Sequence, residues 1–237
     1  MSARPRSAPY LLFCVFAAFA GSACGNSPAA PASTGHIVIQ AAIRNESAPA
    51  LGSVVRLNVD VRDASGTSVV SLLTVPVTQA DSTFRVEVDG PVGEGQEVTV
   101  LAIGDRPVAG GPFGPETGIG VIYRGVATGV NVNAQAPTSR TVTLSAFVPQ
   151  FAPLEALGSS VRVSWSPVPG AQSYLLTRFY DDVGLTARAV AETSLVDDTG
   201  ASRYQLIAVE KSGRHSAPSD FLEGQQSGFF SRAAGAE

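Results

Sequence analysis

Between residues 55 and 61 the chain places Val55, Leu57, Val59 and Val61 on one phase and Arg56, Asn58 and Asp60 on the other. Successive side chains of a strand point to opposite faces, so a period of two over this length specifies a strand with one buried face and one wet face. The same alternation returns with Phe84, Val86 and Val88, with Val98, Val100 and Ala102, and with Val142, Leu144 and Ala146. Turn-forming residues separate these runs, as in Asp63-Ala64-Ser65-Gly66 and across 90–95, and no segment carries a helical stripe. The expectation is an all-β chain of two tandem antiparallel β-sandwich domains following a signal peptide and a flexible tether.

The first body runs over 36–148. Further strands are expected at 37–43, 67–77, 119–128 and 130–134, which brings the count to seven or eight. Residues 104–118, GDRPVAGGPFGPETG, read as a long irregular loop because Gly and Pro dominate them. The order of pieces, with Val121-Ile122-Tyr123-Arg124-Gly125 preceding Val130-Asn131-Val132, loosely resembles prealbumin-like or immunoglobulin-like β-sandwich domains of bacterial surface lipoproteins. That resemblance implies a fold and no activity.

The second body runs over 150–220. Val161, Val163 and Trp165 share a face; Tyr174 and Leu176 share another; Tyr204, Leu206 and Ala208 a third. Gly170-Ala171 turns the chain before Tyr174, and the segment closes on Gly213 to Ser219 in the form Gly-x-x-Ser-x-Pro-Ser. Together these residues resemble a fibronectin type III domain. The stretch 198–203 is compressed relative to that pattern. Trp165, Tyr174, Leu176, Tyr204 and Leu206 are expected in the core, because each falls on the apolar phase of its strand. The Tyr204 hydroxyl is expected to lock a local turn. No Arg-Gly-Asp sequence supports an integrin-type contact.

Ahead of both bodies, Arg4 and Arg6 precede an eleven-residue apolar run, Tyr10 to Ala20, and then Gly21-Ser22-Ala23-Cys24. The run is too short to span a bilayer and has the form of an export signal, residues 1–23. Small residues before Cys24 resemble a bacterial lipoprotein signal, although Gly21 stands where that family usually has Leu. The resemblance implies a lipid anchor, palmitate included, on Cys24 and a place in the cell envelope. Ordinary cleavage after Ala23, giving a secreted soluble protein, and an uncleaved anchor stay open. Residues 24–35 form a small, uncharged tether, and residues 221–237, with Phe229-Phe230, are expected to be a disordered tail.

The cysteines are Cys14, inside the removable segment, and Cys24, so the exported body has no internal disulfide and relies on apolar burial. Removal of Arg4 and Arg6 leaves 14 basic against 20 acidic side chains, and no basic block occurs. A nucleic-acid partner is not expected. His36 and His215 lie in different bodies and pair with no nucleophile by spacing. No cofactor, metal site or catalytic residue is expected. The acids Asp60 and Asp63, Asp181 with Asp182 and Asp197 with Asp198 read as solvated turns rather than a calcium loop. Asn45-Glu46-Ser47 matches a glycan acceptor by form only. The leading expectation is a noncatalytic envelope lipoprotein that binds a protein or glycan or serves as a spacer. The alternative is a polysaccharide-recognising accessory of a secreted hydrolase system, and a small enzyme comes third. Exposed aromatics along one face would mark the glycan binder.

Overall fold

A computed structural model describes residues 33–44, 52–76, 83–110, 116–180 and 184–224. The readings placed on Cys14 and Cys24, Asn45-Glu46-Ser47, Asp181-Asp182 and Phe229-Phe230 fall outside the described residues.

The chain is all-β. β1 (Thr34–Ile43), β2 (Ser53–Arg62), β3 (Ser68–Pro76), β4 (Thr83–Pro91), β5 (Gly93–Val108), β6 (Glu116–Val132) and β7 (Thr138–Ala146) form one sheet in the order β3-β2-β5-β6-β7-β1-β4. β6 and β7 pair in the ladder only where Tyr123 faces Ala146 and Arg124 faces Ser145. The sheet folds over at that joint, and both halves turn their apolar phase to one core. Ile37 and Ile39 of β1, Leu57 and Val59 of β2, Val100 of β5 and Leu144 of β7 are fully buried there. Burying side chains of this size contributes about 1.5–3 kcal/mol each. β1 and β7 run parallel, whereas every other pair is antiparallel. These two strands are joined through the whole sandwich, so no hairpin dictates their direction.

Local departures from the alternation have geometric causes. Val55 is 43% exposed and Val54 takes the inward place, because the β2–β5 register shifts between Val54 and Arg56. Ala146 is exposed: pairing of β7 with β1 ends at Leu144, and Ala146 has moved to the joint with β6. Thr34 and Gly35, read as tether, already pair with Pro91 and Gly90. The region read as a long loop is largely ribbon. β5 and β6 stay paired out to Val108 opposite Glu116.

The second body has β8 (Glu155–Leu157), β9 (Ser160–Ser164) and β12 (Ser194–Asp197) in one sheet, ordered β12-β9-β8. β10 (Ala171–Tyr180), β11 (Gly184–Val190), β13 (Arg203–Glu210) and β14 (Leu222–Glu223) form the other, ordered β11-β10-β13-β14. Trp165, Tyr174, Leu176, Tyr204 and Leu206 fill the space between them, none more than 4% exposed. The Trp165 ring stands edge-on to Tyr174, with centroids 5.4 Å apart. β8 and β11 carry no alternation because their residues are almost all exposed, so no buried phase marks them in sequence. β14 reaches into the segment read as tail, pairing Leu222 and Glu223 with Tyr204 and Arg203.

The second core does not stop at the second body. Leu101 and Ile103 of β5, Val121 of β6 and Phe147 are buried in the same cluster as Trp165 and Leu206. β5 is thus covered on both faces, which is why Thr99, Leu101 and Ile103 are buried alongside Val98, Val100 and Ala102.

Candidate functional site

The seam between the bodies is built by the extended β5–β6 ribbon. Val121 N–H donates to His215 O (3.1 Å) and Ala217 N–H donates to Val121 O (2.9 Å). Arg106, nearly buried, donates to Pro218 O (2.9 Å) and pairs with Asp220 (2.8 Å). Gly120 permits this approach: a Cβ there would sit 2.4 Å from Ala217 N. The Ser-x-Pro-Ser segment is not a full strand. Instead, Ser216 Oγ accepts from Ala208 N–H (2.9 Å) and Ser219 Oγ accepts from Leu206 N–H (3.0 Å). Two serine side chains thus satisfy the β13 amides that a neighbouring strand would otherwise serve.

Along one side of this seam runs a cleft of about 260 Å³. Its floor is the outer phase of β2 and β5, in direct cross-strand register: Asn58 opposite Leu101, Asp60 opposite Thr99, Arg62 opposite Glu97. Arg124 of β6 continues the first row, facing Leu101. The wall is the turn after β13, where Glu210, Lys211, Ser212 and Arg214 line the space. The Arg56, Asn58, Asp60 face, read as simply wet, is in fact roofed in part, and Asn58 is 5% exposed. The roof comes from residues some 150 positions later in the chain.

The charges of the cleft are partly matched. Arg62 Nε donates to Asp60 Oδ2 (2.8 Å), and this bond raises the guanidinium pKa further. Ser68 Oγ donates to the other Asp60 oxygen (2.6 Å). Arg124 reaches Glu210 Oε1 at 3.3 Å, and Ser212 N–H donates to Glu210 Oε2 (2.7 Å). Burial pushes the Glu210 carboxyl up, but the Ser212 hydrogen bonds and the Arg124 charge outweigh it and hold the group below its ordinary value. Burial lowers the Arg214 guanidinium, against the pull of Asp60 and Glu210. Glu97 faces Arg62 and attracts it by charge without a hydrogen bond, and Lys211 makes no ion pair among the described residues.

Other sequence candidates are dispersed. His36 sits across β1–β4 with Nδ1 2.9 Å from Asp89 and Nε2 3.3 Å from Glu87. The Asp89 hydrogen bond raises its pKa. His215 is exposed on the seam turn. Asp63 caps its own turn, accepting from Ser65 and Thr67 N–H at 2.9 Å each. Asp197 is not a solvated turn residue: it is 2% exposed and accepts from the Tyr204 hydroxyl (2.7 Å) and Thr199 Oγ1 (2.8 Å). Arg178 Nε adds a charge contact at 3.2 Å whose angle is too bent for a hydrogen bond. The Tyr204 hydroxyl therefore joins two strand ends through a buried acid, and burial together with Asp197 raises its pKa. Asp198 is exposed. Among the described residues no three His, Cys, Asp or Glu side chains are grouped for a metal ion. All described aromatic residues are buried or half-buried.

The cleft escaped sequence reasoning because its two walls are remote in sequence. The one available signal was the lysine: Lys211 is the sole lysine of the chain, and it stands on the wall.

No protein-family model matches the chain and no curated protein matches it. Among solved structures, a two-domain fibronectin type III segment of chicken tenascin aligns over 73% of this chain and 87% of its own, at 16% identity and TM-score 0.31. A DUF3823 family protein from Parabacteroides merdae aligns over 81% of this chain and 99% of its own, at 17% identity and TM-score 0.25. The tip fimbrial protein Mfa3 from Porphyromonas gingivalis aligns over 81% and 92%, at 10% identity and TM-score 0.32. The likeness to these proteins is one of all-β sandwich architecture.

Proposed function

We propose that this chain is a noncatalytic binding module of the cell envelope, carried outside the cytoplasm by its N-terminal segment and anchored through Cys24. The observation that carries the reading is the seam cleft. Its walls come from both bodies, which a shared apolar core and backbone hydrogen bonds hold together. A site assembled on a rigid frame keeps its geometry without the ligand, so less binding energy goes into ordering. Asp60 and Glu210 are engaged by arginines, which leaves Glu97 without an acid–base partner in the cleft. That arrangement suits holding a ligand better than cleaving one.

The polar lining favours the polysaccharide-recognising alternative over a plain spacer. Recognition would run through hydrogen bonds from planar side chains such as Arg62, Glu97 and Arg124, with no exposed aromatic platform among the described residues.

Affinity electrophoresis supplies the test. One or more soluble polysaccharides should retard the detergent-solubilised full chain saturably and should be recovered uncut. Shortened chains would overturn the noncatalytic reading; silence across neutral and acidic polymers would return the chain to a spacer. Metabolic palmitate labelling should mark the wild type and not Cys24→Ala, and absence of label in both would remove the lipid anchor.

A further inference from the structure

The chain as a whole carries a net charge of −4, yet four cationic side chains line the cleft against three carboxylates. A local cationic excess on an acidic protein selects for anions, since the surrounding field repels them elsewhere. Two of the cations have donors to spare. Arg62 hydrogen-bonds through Nε to Asp60, with Glu97 and Glu210 adding only charge attraction, so its terminal nitrogens keep donors for a ligand. Lys211 projects from the wall, exposed.

The cleft presents two unlike groups, a cationic rim at Arg62 and Lys211 and an acceptor at Glu97. A bare inorganic anion would use only the first. A pyranose offers hydroxyl donors for the acceptor and, when oxidised at its terminal carbon, a carboxylate for the rim. The volume of about 260 Å³ lies just under the range of about 300–1,000 Å³ typical of ligand sites, which suits one sugar unit and not a long chain.

We propose that the seam cleft binds an acidic sugar unit, a hexuronate, with its carboxylate on Arg62 and Lys211 and its hydroxyls on Glu97. The proposal rests on the binding-module reading and names the ligand class of that same site. Arg124 and Arg214 add to the local positive potential.

The test is titration calorimetry on the full chain in detergent, with digalacturonate, its neutral counterpart galactobiose, acetate and inorganic phosphate as separate ligands. Digalacturonate should bind at least about tenfold more tightly than galactobiose, the loss expected when a charge-assisted hydrogen bond goes unmade. Its affinity should fall as salt rises from low to physiological strength. Arg62→Gln and Lys211→Gln should each weaken digalacturonate by about tenfold with unchanged circular dichroism. Lys211 is exposed, so its substitution does not threaten the fold. Equal binding of galactobiose would sink the acidic-sugar assignment and leave the binding module standing. Acetate or phosphate binding as tightly as digalacturonate would reduce the site to a bare anion hole. Wild-type affinity in both variants would place the ligand outside the cleft.

Discussion

Gly120→Ala probes the seam with a single methyl group. The added Cβ would lie 2.4 Å from Ala217 N, 2.5 Å from Ser216 C and 2.6 Å from Ser216 O. All three are backbone atoms and have no rotamer into which to retreat. Restoring ordinary contact at 3.4 Å demands a shift of about 1 Å between β6 and the 216–217 segment. The same shift stretches the bonds from Val121 N–H to His215 O and from Ala217 N–H to Val121 O, now 3.1 and 2.9 Å, beyond useful range. Overpacking costs about 1–3 kcal/mol and each lost bond about 0.5–1.5 kcal/mol. The expected destabilisation is about 2–6 kcal/mol, and for a chain of this size each kcal/mol lowers the melting temperature by roughly 2–4 °C. Thermal unfolding followed by circular dichroism, with limited proteolysis at 20–30 °C below the wild-type midpoint, measures it. Ile119→Ala is the control, since Ile119 is 69% exposed and should change stability by less than about 0.5 kcal/mol. A Gly120→Ala protein melting with the wild type would refute the close-packed seam and the rigid cleft built on it.

Three further outcomes follow from the same geometry. Ser219→Ala leaves the buried Leu206 amide without its acceptor and should cost about 1–3 kcal/mol in urea unfolding, with Ser216→Ala similar through Ala208; a neutral result would mean that water serves these amides. Tyr204→Phe removes a donor from buried Asp197 and should cost about 1–3 kcal/mol, whereas Tyr174→Phe, which strips a single acceptor from Val168 N–H, should cost no more than that; equal stability of Tyr204→Phe and wild type would deny the strand-end clamp. His36, raised above its ordinary value by the Asp89 hydrogen bond and by Glu87, contributes stability that is fully present below the unfolded pKa of about 6.5 and is lost as pH rises through the folded pKa; NMR titration of the imidazole should show the upward shift, and Asp89→Asn should reduce it.

Much of the fold was legible because its strands have one wet face. Leu57, Val59 and Val61 alternate with polar neighbours, and a period of two admits one backbone. Trp165, Tyr174, Leu176, Tyr204 and Leu206 fall on the apolar phase of their strands and lie in the second core. The alternation fails where a strand is exposed on both sides, as in β11, where no residue is buried. It also fails where both faces are covered, as in β5, whose continuous apolar run of Val98 to Ile103 meets two cores. The Gly- and Pro-rich stretch from 104 looked like loop because local propensity opposes a strand there. Contacts with 216–221, including Phe221 N–H to Ala109 O at 3.0 Å, hold it extended instead.

The seam and its cleft could not be foreseen from any local pattern. Arg124 and Glu210 stand 86 residues apart, yet the ion pair between them closes one end of the site. Periodicity reports which side of an element is dry; it carries no information on which distant element dries it. Residue order along the chain therefore decides that this protein is built of strands, where most of them turn and which aromatics go inside. Only the packing of one sandwich onto the other converts the polar face of β2 from a wet surface into the floor of a charged cleft. That conversion depends on contact between segments far apart along the chain.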